Sequence, residues 1–145
     1  MIESLLQGTQ LQKLYNQQID ALRNEYHLCK IDIDILYFLY KSGNQNTPKD
    51  ISKLNLFNKG HISQSIDRMA KQRLITVVQD QHDRRCIHLF LTGQAEAIVG
   101  QIIELRKHMY NLILQGVTEE ERALLLQISK KVHENIRNAL DLPAK

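Results

Sequence analysis

In this 145-residue chain, the residues that most directly suggest a binding function are two adjacent arginines in a short polar segment. Arg84 and Arg85 follow Asp83 and lie between two β-branched runs, Leu74–Val78 and Ile87–Leu91. Such runs predict paired antiparallel strands, which place the polar segment at the tip of a hairpin. Asp83 and Arg85 should point the same way on an extended backbone, where the carboxylate can hold the guanidinium in a fixed orientation. A guanidinium held in this way suits a DNA minor groove, whereas Arg84 would face a phosphate.

A second group of polar residues precedes the hairpin, on a predicted helix over residues 59–72. Asn58 is a suitable N-cap for this helix, and Ile62, Ile66 and Met69 recur at i, i+4 and i+7, which predicts one buried face. The opposite face carries side chains of the lengths that reach base edges and phosphates: Lys59, His61, Ser63, Gln64 and Arg68. The alternative to DNA contact is that these residues form an ordinary solvated helix face, and that the hairpin is a turn with a weak surface ion pair.

The segment before this helix predicts the rest of a helix-turn-helix. A buried helix is indicated over Ile31–Lys41, and it should stop at Gly43. Thr47 and Pro48 are typical of an N-cap and a first helical position, and they begin a short helix that ends near Asn55. Two short helices joined by a tight turn after a buried helix form this motif.

Long helices are predicted on both sides of the central part. The first covers about residues 3–27. Helical structure resumes after Gly93 and ends at Gly116, and a capping box of Thr118 and Glu121 begins a last helix that runs to Pro143. Their apolar stripes exceed what a small module can cover, so we expect self-association.

Composition and charge fit one folded unit with a basic centre. At 43% hydrophobic and 24% charged residues, the 145-residue chain can bury one ordinary core, so a single domain is expected. Residues 49–91 hold eight Lys or Arg against four acidic residues, whereas the remainder holds 11 against 12. The positive charge is therefore concentrated where a phosphate-binding module would need it. No apolar run approaches the roughly 18 residues of a membrane span, so we expect a soluble, cytoplasmic protein without a membrane partner.

The sequence offers no pattern typical of an enzyme. It lacks a glycine-rich phosphate loop, a nucleophile elbow and an HExxH helix, so no catalytic residue, cofactor or metal is predicted. A looser set of residues has zinc chemistry without zinc spacing: His27, Cys29, Asp32, Asp34 and His108. Cys29 leaves a redox switch open, although a buried, inert thiol is favoured, and Cys86 is interpreted as a small apolar filler.

Taken together, these features resemble the MarR family of bacterial winged-helix regulators. The order of helix, helix, helix-turn-helix, wing and two long helices matches over essentially the whole chain, and Asp83-Arg84-Arg85 with the following Leu91-Thr92-Gly93 is similar to the family's wing signature. The resemblance implies a mainly α, winged helix-turn-helix fold with a small β-hairpin. The DNA-binding lobe would cover about residues 30–92, and the dimerisation helices about 1–29 and 93–145.

The same resemblance implies a function. A homodimer would place two recognition helices, with the surface from Lys59 through Arg68, in successive major grooves of a pseudo-palindromic operator. Arg85 would enter a flanking minor groove with Asp83 as its orienting partner. Gly60, in the first turn of the helix, departs from good helix-forming sequence and costs about 0.5–1 kcal/mol relative to alanine. The regulator would most simply be a repressor of transcription.

The signal that controls such a regulator is left open by the sequence. The resemblance implies a small-molecule effector bound between the dimerisation helices and the DNA-binding lobe. Five tyrosines lie on helices that border this region, but core packing is the favoured interpretation for them: Tyr15, Tyr26, Tyr37, Tyr40 and Tyr110. Two further alternatives are a redox- or metal-responsive regulator and a winged-helix interaction scaffold that does not bind DNA.

Overall fold

The computed structural model describes residues 8–54 and 56–141 and has a mainly helical fold with one small hairpin. This confirms the predicted fold class. The part of the first predicted helix that covers residues 3–7 lies outside the described residues. The elements are α1 (Thr9–Tyr26), α2 (Lys30–Ser42), α3 (Pro48–Ser52), α4 (Lys59–Lys71), β1 (Ile75–Gln79), β2 (Ile87–Leu91), α5 (Gly93–Ile113) and α6 (Glu119–Asp141).

Local signals in the sequence set the ends of the short helices. Thr47 caps α3, since its Oγ1 accepts from the amide of Asp50 at 3.1 Å while the Asp50 carboxylate accepts from the amide of Thr47 at 3.1 Å. Pro48 occupies the first turn, where its missing N–H is not needed. Asn58 caps α4 through a 2.8 Å bond from the amide of His61 to its Oδ1. Gly43 follows α2 with φ +58°, a backbone conformation that favours glycine.

The two strands pair in antiparallel register from Ile75 opposite Leu91 to Gln79 opposite Ile87. β1 lies one residue later than the predicted run Leu74–Val78, whereas β2 has the bounds of the predicted run Ile87–Leu91. The ladder continues one step beyond them, because the amide of Asp80 donates to the carbonyl of Cys86 at 2.9 Å. The hairpin tip is therefore limited to the residues between these two.

The chain divides into two compact units, Met1–Met109 and Tyr110–Lys145. In the first unit, helices α1 to α4, the hairpin and the part of α5 up to Met109 bury one apolar core. Its largest fully buried side chains include Ile19, Ile33, Ile35, Leu36, Ile51, Met69, Leu89 and Ile102. The expectation of a single domain with lobe boundaries near residues 30 and 92 stays a prediction.

The second unit contains the end of α5 and the whole of α6. Thr118 and Glu121 form the predicted capping box, with the two amide-to-side-chain bonds at 3.0 and 3.1 Å. Arg122 donates from its guanidinium to the carbonyls of Leu114 and Val117, both at 3.2 Å, and so closes the turn between the helices. No residue of α6 is buried in the single chain.

Within the described ranges, none of the helices has both the length and the apolar composition that crossing a bilayer requires.

Candidate nucleic-acid interface

One edge of α4 is polar and exposed while the opposite side is fixed in the core. Ile62, Ile66 and Met69 are buried, as the sequence predicted. Four of the five predicted contact residues on this helix have exposed side chains: Lys59, His61, Ser63 and Gln64. The first turn of α4, which begins this edge, is fixed by the Asn58 cap. The structure thus brings these four residues to one accessible helix edge.

Arg68, the fifth predicted contact residue, has a different role. Its Nη2 donates to Oδ1 of Asp32 at 2.7 Å, and its Nε donates to Oδ2 of the same carboxylate at 3.2 Å. The Asp32 side chain is fully buried, and it also accepts from the Ser65 hydroxyl and, at 2.8 Å, from the amide of Cys29. Arg68 therefore differs from the other four residues, because its guanidinium is engaged in joining α4 to α2. Its contact with DNA stays a prediction.

The sequence contains a signal for this anchor that the pattern analysis did not use. Asp32 shares one helix face with Leu36 and Leu39, at i, i+4 and i+7, so periodicity places its carboxylate toward the core. A buried carboxylate needs a cationic partner or several donors. The residue that supplies the partner lies 36 positions further along, so helical periodicity does not identify it.

The hairpin tip, which we call the wing tip (residues 81–85), is organised by side chains that bind backbone groups. Oδ1 of Asp80 accepts from the amides of His82 and Asp83, at 2.8 and 3.0 Å. The side chain of Gln79 donates to the carbonyl of Arg84 at 2.8 Å. These bonds form a local Asx-type turn and fix the backbone from which both arginines project.

Asp83 orients Arg85 through the backbone and not through the guanidinium. Its Oδ1 accepts from the amide of Arg85 at 3.0 Å. The expected ion pair between the two side chains is absent from the described part of the chain, so that detail of the prediction was wrong. The side chains of Arg84 and Arg85 are both exposed and make no ion pair with the residues described.

The base of the wing contains a polar cluster that the sequence analysis missed. The His88 ring lies between two oxygens: its Nδ1 is 2.8 Å from Oδ1 of Asn46, and its Nε2 is 2.8 Å from Oδ2 of Asp80. The His88 ring, followed by the amides of His82 and Asp83, lowers the pKa of the Asp80 carboxyl to about 2. The hairpin brings Asp80 close to His88, whereas Asn46, 42 positions from His88, comes from the loop before α3. Such distant partners are not visible in the sequence pattern.

Three of the five tyrosines make hydrogen bonds or cation–π contacts within the first unit. Tyr15 donates to Oδ1 of Asp34 at 2.9 Å, and burial raises the pKa of both groups. Tyr26 accepts from the Gln101 side chain at 2.6 Å, and the Arg106 guanidinium lies 4.1 Å from the Tyr37 ring centroid. The remaining two, Tyr40 and Tyr110, are exposed.

The two cysteines are free and differ in exposure. Cys29 is exposed, so the expectation of a buried thiol was wrong, and Cys86 is partly buried in the wing. The loose zinc set is not brought together, since Asp32 is bound to Arg68 and Asp34 accepts from Tyr15. Within the described ranges, the grouping with metal-ligand distances is a different one, Asp80, Cys86 and His88.

A buried helix, two short helices, a two-stranded wing and a long following helix define a winged helix-turn-helix protein. Comparison with known proteins agrees, because residues 30–85 match the sequence profile of the MarR family. Over these residues the chain is similar to the MarR family, whose members regulate transcription and are not enzymes.

Individual proteins are similar to this chain over most of its length. The HTH-type transcriptional regulator PecS of Dickeya dadantii is 23% identical over 127 residues, covering 86% of this chain and 76% of PecS. A MarR family regulator from Listeria monocytogenes, solved with a 26mer DNA, has a TM-score of 0.80 at 21% identity, covering 96% of this chain and 90% of that one. FabT of Streptococcus pneumoniae, also solved with DNA, has a TM-score of 0.73 at 21% identity, covering 95% and 96%.

Proposed function

We propose that this chain is a sequence-specific DNA-binding regulator that acts as a homodimer, most simply as a repressor. The observation that carries the proposal is the pairing, on one lobe, of an exposed polar edge on a firmly anchored helix with two exposed arginines on a fixed hairpin. The segment that contains both features also holds the chain's excess of positive charge, eight basic against four acidic residues over 49–91.

Helix α4 is suited to the major groove. Its buried face and the link from Arg68 to Asp32 fix its position, so little conformational freedom is lost when the opposite edge binds. Lys59 can neutralise a phosphate, and His61, Ser63 and Gln64 supply the donors and acceptors that read base edges.

The wing is suited to the adjacent minor groove. The amide of Arg85 donates to the Asp83 side chain and the amide of Asp83 donates to the Asp80 side chain, so the backbone that carries the Arg85 guanidinium is held. The guanidinium makes no ion pair with the described residues, so none has to be broken when it binds. Arg85 would enter the narrow groove, where negative potential is concentrated, and Arg84 would bind a phosphate at its edge. Asp83 remains the wing-orienting residue in this proposal, through the amide of Arg85.

A homodimer follows from the second unit. Helix α6 exposes apolar side chains along its length in the single chain: Leu124, Leu125, Leu126, Ile128, Ile136 and Leu140. A contiguous apolar surface of this kind marks an association site, and a two-fold partner of the same sequence covers it symmetrically. Two copies would present two α4 helices to successive major grooves of a pseudo-palindromic operator.

Occupancy of the operator by the dimer would then control transcription. A dimer bound over a promoter blocks transcription, and a small molecule that favours another spacing of the two α4 helices relieves the block. The DNA complexes of the Listeria and Streptococcus relatives support the mode of binding.

The test is binding to the DNA upstream of the protein's own coding region, measured by fluorescence anisotropy at several salt concentrations. Arg85→Ala should weaken binding by about 1–3 kcal/mol, or roughly 5- to 150-fold, with the dimer intact. Arg84→Ala is the matched variant: it should weaken binding to all sequences alike and reduce the slope of log K against log salt by about 1.

Two outcomes would contradict the proposal. Equal affinity of the wild type and Arg85→Ala would remove the wing from the mechanism. Absence of retention on heparin together with absence of a gel shift on the upstream DNA would favour an interaction scaffold.

A further inference from the structure

The cluster at the base of the wing contains three different metal-ligand types. The ligand atoms of Asp80, Cys86 and His88 all lie within 4.8 Å of one another, and each of the three residues is partly buried. Asp80 and Cys86 face each other at the end of the hairpin ladder, through the bond from the Asp80 amide to the Cys86 carbonyl. His88 is two residues further along β2 and turns its ring to the same place.

The His88 ring is held at both of its nitrogens. Oδ1 of Asn46, a residue only 6% exposed, lies 2.8 Å from Nδ1, and Oδ2 of Asp80 lies 2.8 Å from Nε2. A neutral imidazole carries one N–H, so one ring nitrogen donates and the other presents a lone pair. With the proton on Nε2, the ring donates to Asp80, and the Asn46 amide turns its NH₂ group to Nδ1. With the proton on Nδ1, the lone pair of Nε2 and the carboxylate oxygen of Asp80 converge on one point, as two ligands of a metal ion do.

We propose that the base of the wing is a binding site for a zinc-class divalent cation, held by Nε2 of His88, Oδ2 of Asp80 and the thiolate of Cys86. Zinc takes nitrogen, sulfur and oxygen ligands of these types in tetrahedral sites, with a fourth position open to water when the protein supplies three. Binding converts the Cys86 thiol to a thiolate, and the released proton passes to solvent.

The surroundings of the three ligands support this assignment. A metal-binding histidine usually donates its other ring N–H to a carbonyl or carboxylate, and Oδ1 of Asn46 occupies that position for His88. Two backbone amides hold Oδ1 of Asp80, which leaves Oδ2 for the cation. At zinc bond lengths of about 2.0–2.1 Å, the oxygen and nitrogen would separate from 2.8 Å to about 3.3 Å, a small side-chain adjustment.

Occupancy of this site would join three parts of the lobe. Asp80 immediately precedes the wing tip, Cys86 and His88 follow it on the returning side of the hairpin, and Asn46 lies in the loop before α3. The cation would therefore tie the wing tip to the helix-turn-helix. The proposal concerns the free protein and does not depend on DNA binding, so the two can fail separately.

The experiment is titration of the untagged, reduced, full-length chain with Co²⁺ and then with Zn²⁺. We expect one Co²⁺ per chain with a thiolate-to-cobalt absorption band, and displacement of that band by one equivalent of Zn²⁺. Cys86→Ser should abolish the band, and His88→Gln should weaken affinity by more than the roughly 100-fold that loss of an outer hydrogen-bond partner can cost.

Four further variants separate ligation from folding. Asp80→Asn keeps an acceptor for the amides of His82 and Asp83 but removes the anionic ligand, so it should lose the metal with an unchanged circular dichroism spectrum. Asn46→Ala should bind about 10- to 100-fold more weakly, and Asn46→Asp, which keeps the acceptor, should restore affinity. Cys29→Ser, at the other free thiol, should bind like the wild type.

Either of two results would overturn the proposal. Absence of binding at micromolar Zn²⁺ would mean that a proton fills the position between His88 and Asp80. A cobalt band that survives Cys86→Ser and disappears in Cys29→Ser would place the metal elsewhere.

Discussion

Replacing Arg68 with alanine should destabilise the fold by about 2–3 kcal/mol. Removing one partner of a buried ion pair typically costs about 3–5 kcal/mol, because the other charge is left without compensation. Here the Asp32 side chain is fully buried whereas that of Arg68 is 35% exposed, so water can partly replace the guanidinium. The Ser65 hydroxyl and the Cys29 amide also continue to donate to the carboxylate. Both effects place the loss at or below the lower end of that range.

The assay is urea unfolding followed by far-UV circular dichroism, at one protein concentration because association affects apparent stability. Lys71→Ala, at an exposed position on the same helix, is the control and should stay within about 0.5 kcal/mol of wild type. Asp32→Asn should cost less, about 1–2 kcal/mol, since Arg68 can then turn to solvent.

A double-mutant cycle decides whether the ion pair is the cause. In the Asp32→Asn background, Arg68→Ala should cost no more than about 0.5 kcal/mol, because the charge it compensated is gone. An equal cost in both backgrounds, or a single variant as stable as wild type that has lost DNA affinity, would refute the assignment of Arg68 as an anchor.

Three other perturbations test separate parts of the structure. Thr47→Ala removes the cap of α3 and should lower the free energy of unfolding by about 1 kcal/mol in the same urea assay. Burial raises the pKa of Asp34 in the folded protein, so its contribution to stability is present below its unfolded pKa of about 3.9 and is lost as the pH rises through the folded value. Asp34→Asn should therefore gain stability relative to wild type over that rise, and parallel pH profiles would contradict this. Ile128→Glu on the exposed face of α6 should shift sedimentation toward the monomer, whereas Lys130→Glu should leave it unchanged.

The order of elements was predictable because short-range chemistry sets it. Thr47 with Pro48, and Asn58 before α4, mark helix starts by capping bonds that span only three residues. Gly43 marks an end by its backbone conformation. The apolar periodicity of Ile62, Ile66 and Met69 gave the buried side of α4 for the same reason, since a helix repeats its faces at fixed spacing.

The sequence did not reveal the partner of Arg68 or the orientation of Arg85. The first depends on a residue that is distant in sequence, and the second depends on which conformation the backbone adopts at the hairpin tip. Periodicity places Arg68 on the polar face of α4, but its partner Asp32 lies on α2. The Asp83 and Arg85 pairing assumed an extended backbone at the hairpin tip. The Asp80 carboxylate binds the amides that follow it, and this turn replaces the alternation of an extended strand.

Asn46 joins the helix-turn-helix to the hairpin. Its carbonyl accepts from the amide of Leu89 at 2.9 Å and its side chain meets His88, so the loop before the helix-turn-helix is fastened to the returning strand of the hairpin by a single buried residue. We therefore expect the wing tip and the polar edge of α4 to keep a fixed distance from each other. In the proposed mode of DNA binding, the protein would respond to the number of base pairs between these two points of contact, as well as to the identity of the bases at each.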